Sequence, residues 1–275
     1  MKLATLGPIG TYASIAADIY DKNIEKLYFR SINEVFKAID KDVYAIIPYE
    51  NSLDGFVQQS MDLLISEKCQ ITDELYLPVT FSVVGNVNRM EEIKRIFVQF
   101  KAKGQCLNFI NQIPHAEIMN TESNMISLEE VKKGICGDVA IIPTHSYDDS
   151  FPFGIKDVTD AKNNQTRFLV IKQRDQIEIH KGNHIKATIV VTAINDRPGM
   201  LYDILGCFYK KSINLVSIVS RPTKSEIGKY HFFIEIAFDN NIHMIEEAIS
   251  EIKKNNDLKI IILGIYENKD QNHSN

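Results

Sequence analysis

The chain lacks any surplus of positive charge. Its 31 Lys and Arg stand against 36 Asp and Glu, a net −5, which excludes the broad basic footprint of a nucleic-acid-binding protein. The short basic pairs Lys132-Lys133, Lys210-Lys211 and Lys253-Lys254 read as solvated helix ends. No apolar run approaches the roughly eighteen residues of a membrane span. Residues 1–8 enter a strand and a turn without the apolar core or cleavage site of a signal peptide. Cysteine is sparse: Cys69, Cys106, Cys136 and Cys207 are scattered, with no CxxC spacing. Zinc and dithiol chemistry are therefore not expected, and reduced thiols in a cytoplasmic protein are. No histidine has a metal-ligand spacing or a place in a triad, and neither GxGxxG nor a P-loop is present. No metal site is expected from these spacings, and nucleotide binding is poorly supported.

What is there describes an ordinary folded protein. Over 275 residues, 44% hydrophobic and 24% charged, the chain has material for two or three compact units with cores. From residue 1 to about 172, short apolar strands alternate with helical patterns. Strands are expected at 3–6, 43–47, 79–84, 95–99, 117–119, 139–142, 155–158 and 168–171. Helices are expected at 12–20, after the Ser31 cap, at 57–65, near 91–94, at 105–110 and at 127–133. This alternation argues for α/β architecture with parallel strands. Two such lobes, the last strand returning to the first, leave a cleft of the kind that takes small molecules. Residues 173–184 read as a polar linker. Beyond it the order β-α-β-β-α-β is the ferredoxin-like arrangement, ending in a polar tail.

Three segments offer chemistry. Gly7-Pro8-Ile9-Gly10-Thr11 follows a strand and opens a helix, which fits a tight turn or an anion site equally well. Glu50-Asn51-Ser52 ends a buried strand, where open α/β sheets place ligands. Asn51 and Ser52 suit a carboxylate or hydroxyl, although helix capping also accounts for them. Glu50 would repel an anion and fits better as an orienting group. Asn164-Gln165-Thr166-Arg167-Phe168 sets a lone hydroxyl beside a guanidinium at a strand mouth. Arg167 there offers a fork for a carboxylate, or a surface salt bridge. Gln105 can supply an amide, and Cys106 reads as core.

Taken together, these segments resemble prephenate dehydratases with a C-terminal ACT domain. Gly7-Pro8-x-Gly10-Thr11-Tyr12, Pro48-Tyr49-Glu50-Asn51-Ser52-Leu53-Asp54-Gly55 and Asn164-x-Thr166-Arg167-Phe168 are similar to the family's motifs. Gly199-Met200-Leu201-Tyr202 and Asn214 to Pro222 are similar to the effector-binding elements. Two departures stand out: Val98-Gln99-Phe100-Lys101 replaces a family S-H-P-Q segment, and Val219 replaces the glutamate of E-S-R-P.

The resemblance implies a two-lobed, periplasmic-binding-protein-like catalytic region with an interlobe cleft at 1–175. Lobe one takes 1–78 and 158–175, and lobe two takes 79–157. A linker at 176–185, a ferredoxin-like βαββαβ ACT domain at 186–268 and a tail at 269–275 follow. It implies decarboxylating dehydration of prephenate to phenylpyruvate, without a cofactor. Thr166 would be the proton donor, and Thr11, Asn51, Ser52, Gln105, Arg167 and Phe168 the substrate contacts. L-phenylalanine would bind near Gly199, Met200, Leu201, Asn214, Leu215, Val216 and Ser217, between the ACT units of a homodimer or homotetramer. Two rivals are a prephenate decarboxylase that does not aromatise its product and a non-catalytic amino-acid-binding regulator.

Overall fold

Cap residues and apolar runs divide the chain into short elements. A computed structural model describes residues 1–175, 180, 182, 184–195, 197–224, 228–239, 242–254 and 257–270. In chain order the first elements are β1 (Lys2–Leu6), α1 (Tyr12–Tyr20), β2 (Glu25–Phe29), α2 (Ile32–Lys37), β3 (Val43–Asn51), β4 (Gly55–Phe56), α3 (Gln58–Ser66) and β5 (Cys69–Pro78). Then come β6 (Phe81–Gly85), β7 (Arg95–Gln99), α4 (Phe100–Gly104), α5 (Leu107–Asn111), β8 (Glu117–Thr121), α6 (Asn124–Lys132), β9 (Asp138–Pro143), β10 (Phe153–Ile155) and β11 (Gln165–Gln173). The rest is β12 (His184–Ala193), α7 (Met200–Tyr209), β13 (Leu215–Pro222), β14 (Tyr230–Asp239), α8 (Ile242–Lys253) and β15 (Leu258–Glu267). The caps are local. The hydroxyls of Thr11, Ser31 and Ser123 each accept the backbone N–H three residues on, opening α1, α2 and α6.

The chain divides into two compact units. The first comprises 1–50, 56–76 and 167–275. Its larger sheet has the order β2-β1-β3-β11-β5, with β4 paired to β3, and β1 lies parallel to both β2 and β3. Its smaller sheet, β13-β14-β12-β15, is antiparallel in all its pairings, the expected ferredoxin-like arrangement. β12 is buried on both faces. Ile185, Ala187, Ile189 and Val191 pack with Ile204, Phe208, Ile245 and Ile249 of the helices. Val190, with Phe233, Leu263 and Tyr266, joins the core of the larger sheet beside Ile47, Tyr49, Ile71 and Leu169. Gly264 permits this approach, since a Cβ there would stand 2.3 Å from the Ile71 carbonyl oxygen.

The second unit comprises 51–55 and 77–166. Its sheet, β10-β6-β9-β7-β8, is mixed. β7 runs parallel to β8 and β9, while β6 is antiparallel to β9 and β10. The parallel strands expected here are β7, β8 and β9, while β6 and β10 run antiparallel. β2 and β5 are strands that periodicity did not reveal, because both mix polar and apolar residues without a continuous apolar run. The helix expected at 91–94 is a single 3-10 turn, Met90–Glu92, and the strand expected at 155–158 lies at Phe153–Ile155. Much of the expected linker and residues 271–275 of the tail lie outside the described residues.

Candidate functional site

The second unit gathers Asn51, Ser52, Gln105, Asn164 and Thr166 into one hydrogen-bonded group. Asn51 ends β3, and its side chain orders the group. Its Oδ1 accepts the backbone N–H of Leu53 and of Asp54, both at 3.0 Å. Backbone N–H groups only donate, so the orientation of this amide is fixed. Its Nδ2 therefore faces the other way and donates to Asn164 Oδ1 at 2.9 Å and Thr166 Oγ1 at 3.0 Å. In that bond the threonine oxygen is the acceptor, which leaves the threonine's own proton free to be aimed elsewhere.

The same logic fixes the next amide. Asn164, 2% exposed, accepts through Oδ1 and donates through Nδ2 to Gln105 Oε1 at 2.7 Å. The Nε2 of Gln105 is then the end turned away from Asn164. The expectation that Gln105 begins a helix is not met. Gln105 sits between α4 and α5, and Asp160 caps α5 by accepting the N–H of Leu107 and of Asn108. Beside it a cavity of about 620 Å³ is lined by Leu53, Asp54, Phe100, Lys101, Gln105 and Leu107, among others. Lys101, in the segment that departs from the family motif, pairs loosely with Asp54 at 3.4 Å. Burial pushes the Cys106 thiol up to about 12, as suits a core residue. Ser52 is a structural pin: its hydroxyl accepts the Gln165 N–H and donates to the Asn163 carbonyl or Asn164 Oδ1.

The other expected substrate contacts belong to the first unit. Thr11 caps α1, and its hydroxyl donates to the Leu6 carbonyl. Phe168 is 1% exposed and packs as a core side chain. Arg167 also differs from expectation. It is 3% exposed, and its fork faces protein carboxylates. Nη1 and Nη2 donate to Glu235 at 2.7 and 2.8 Å, Nε donates to Glu74 at 2.7 Å, and Nη2 also reaches the Tyr266 hydroxyl at 2.9 Å. Lys186, fully buried, donates to both Glu74 oxygens and to Tyr76. Burial, reinforced by Arg167, lowers the Lys186 pKa. Burial alone would raise the Glu235 carboxyl, but Arg167 outweighs it and holds the group below the ordinary carboxylate range. Glu50, 3.7 Å from Arg167 Nη1, is pushed up by burial, with Arg167 opposing.

Sequence reasoning missed Glu74, Lys186, Glu235 and Tyr266. The available signal was polarity at alternate positions of otherwise apolar strands, Lys186 and Thr188 in β12 and Glu235 in β14. In the C-terminal elements Gly199 takes φ +81° before α7, Met200 is buried in the helix-facing core, and Leu215 packs against it. Arg221 donates to Asp62 of α3 through Nη2 at 2.8 and 2.9 Å and through Nε at 3.3 Å. Among the described residues no cluster of three metal-ligating side chains occurs, and no helix is long and apolar enough to cross a membrane.

A family model for prephenate dehydratase matches residues 3–176, and one for the ACT domain matches residues 187–255. The chain belongs to the prephenate dehydratase family. The prephenate dehydratase of Methanocaldococcus jannaschii is 32% identical, the alignment covering 94% of this chain and 95% of that one. The crystal structure of the prephenate dehydratase from Staphylococcus aureus subsp. aureus Mu50 superposes with a TM-score of 0.84 at 28% identity, covering 97% of this chain and 100% of that one. The crystal structure of prephenate dehydratase in complex with L-Phe from Arthrobacter aurescens has a TM-score of 0.80 at 24% identity, covering 98% and 90%; at that identity it speaks for the fold. The family's activity is a decarboxylating dehydration and its enzyme class is hydro-lyase. The α/β fold class with a C-terminal ACT domain is as the sequence led one to expect.

Proposed function

We propose that the Asn51–Asn164–Thr166–Gln105 group is the catalytic centre for conversion of prephenate to phenylpyruvate, with Thr166 as the proton donor. The observation that carries this reading is the bond from Asn51 Nδ2 to Thr166 Oγ1 at 3.0 Å. It occupies the threonine oxygen as an acceptor and leaves the hydroxyl proton for the substrate. The ring C–O bond of prephenate breaks as that proton reaches the departing hydroxyl, forming water. The ring carboxylate leaves as carbon dioxide, and its electron pair completes the aromatic ring. Solvent returns the proton to Thr166. Threonine is a weak acid, so oriented dipoles and positioning carry much of the acceleration. Gln105 Nε2 and the Lys101 ammonium, both lining the adjacent cavity, are the groups suited to a substrate carboxylate. Thr11 remains a candidate contact through its helix start.

L-Phe is proposed as effector, at 199–201 and 214–217 of the ACT unit, in a homo-oligomer. The ACT match and the L-Phe complex of the Arthrobacter protein support this. The free thiols of Cys69, Cys106, Cys136 and Cys207 suit a cytoplasmic setting. Prephenate turnover, read by the ultraviolet absorbance of phenylpyruvate in base with and without L-Phe, is the test. Product that appears and is suppressed by L-Phe is expected. L-Phe binding without turnover, or carbon dioxide release without phenylpyruvate, overturns the reading.

A further inference from the structure

We propose that Glu235, a residue of the ACT domain, is a positioning residue for the dehydration step, acting on Thr166 through Arg167. This rests on the reading of Thr166 as proton donor. Arg167 has five N–H donors; four are taken, two by Glu235, one by Glu74 and one by Tyr266. The remaining one points toward Glu50 at 3.7 Å. The rings of Tyr49 and Tyr76 flank the guanidinium at 5.1 and 6.0 Å. Glu235 is itself fixed, accepting from Thr188 at 3.1 Å, while Thr188 and the Tyr266 hydroxyl are 2.8 Å apart. Two of the three Arg167 partners, Glu235 and Tyr266, thus come from the C-terminal sheet.

Connectivity carries this arrangement to the site. Arg167 is the residue after Thr166 on β11, and Glu50 is the residue before Asn51 on β3. Thr166 and Asn51 are the two ends of the 3.0 Å bond that sets the threonine hydroxyl. Each partner in that bond is therefore one peptide away from the buried ionic cluster. Successive strand side chains point to opposite faces, so clamping Arg167 on one face fixes how Thr166 is presented on the other. An arginine that lost its bidentate carboxylate would have to find another partner or solvent. Either response moves the backbone at 167, and with it the hydroxyl at 166.

The test is steady-state kinetics of the full chain on prephenate. Glu235→Gln keeps the shape and removes the charge. It is expected to lower kcat about 10- to 100-fold, the scale of a small misplacement, with KM changed less than about twofold. In a Thr166→Ala background the same substitution is expected to have no further effect on kcat, because the group it positions is gone. A merely structural role would lower both backgrounds alike, and that result overturns the proposal, as does an unchanged kcat in Glu235→Gln alone. Should Glu235→Gln fail to fold, Tyr266→Phe decides. It removes one hydroxyl from the cluster and is expected to lower kcat about fivefold, again only when Thr166 is present. A wild-type chain that does not turn over prephenate sinks the dehydratase reading itself, whereas a working wild type with an indifferent Glu235 sinks only this inference.

Discussion

At the scale of single residues, the site is a relay of oriented amides. Two backbone N–H groups fix Asn51, Asn51 fixes Asn164, and Asn164 fixes Gln105. In the proposed mechanism the chemistry comes from the two loose ends of this relay, the Thr166 proton and the Gln105 Nε2. Thr166→Ala is expected to lower kcat roughly 10²- to 10⁴-fold, the usual worth of a positioned proton donor, while Thr166→Ser retains most of the rate; single-turnover assays check both. Asn164→Asp sets a carboxylate oxygen against Gln105 Oε1, so Gln105 turns its amide and offers an acceptor to the cavity. For an anionic substrate, KM is expected to rise about tenfold, the value of one hydrogen bond to a charged group, with a smaller change in kcat. The ionic cluster behaves differently. Truncating Glu74 to alanine leaves Arg167 and Lys186 short of a carboxylate, which costs about 3–5 kcal/mol by the measure of broken buried pairs and is visible in denaturant unfolding.

At the scale of elements, what local pattern determines was readable and what pairing determines was not. The strand ends that carry Asn51 and Thr166, the turn before α1, the cap at Ser31, and the βαββαβ order all follow from spacing within a few residues. β5 was invisible because Glu74 interrupts it as a charge. Only the partners on β11 and β12 turn that charge into a buried one. Arg167 misled for the same reason: a guanidinium at a strand mouth suits a ligand carboxylate and a protein carboxylate equally, and strand β14 decides between them. β15 has its own device, a register shift against β12 between Thr188 and Ile189, next to Gly264. Gly264→Ala would push β15 off the Ile71 carbonyl. A loss of roughly 1–3 kcal/mol is expected, as for overpacked cores, read as a lower urea midpoint.

At the scale of the whole molecule, the acid limb of stability should report the cluster. Glu235 lies below its ordinary 4.5 in the folded chain. The unfolded chain takes up that proton at the ordinary value, so the stabilisation is complete above it and lost as pH falls toward the lower folded value. Asp62, held below 3.8 by its bonds to Lys224 and Arg221 against the opposing effect of burial, has the same sign. Thermal melting followed from about pH 7 down to about pH 3 should show this decline, with a shallower slope in Glu235→Gln.

The double burial of β12 bears on how a variant indifferent to its end product is to be made. Regulatory modules are commonly treated as accessories to be cut away. A chain stopped after Gln173 would strip Val190, Phe233, Leu263 and Tyr266 from a core they share with Ile47 and Leu169, and would uncover the Arg167–Glu74 pair without its Glu235, Tyr266 and Lys186 partners. Such a fragment is expected in the insoluble fraction, whereas substitutions at Leu201, Asn214 or Ser217, which belong to neither core cluster, leave the protein soluble. If the ACT domain is the proposed L-Phe sensor, relief from feedback is to be engineered by blunting that sensor, because here it is also a wall of the house.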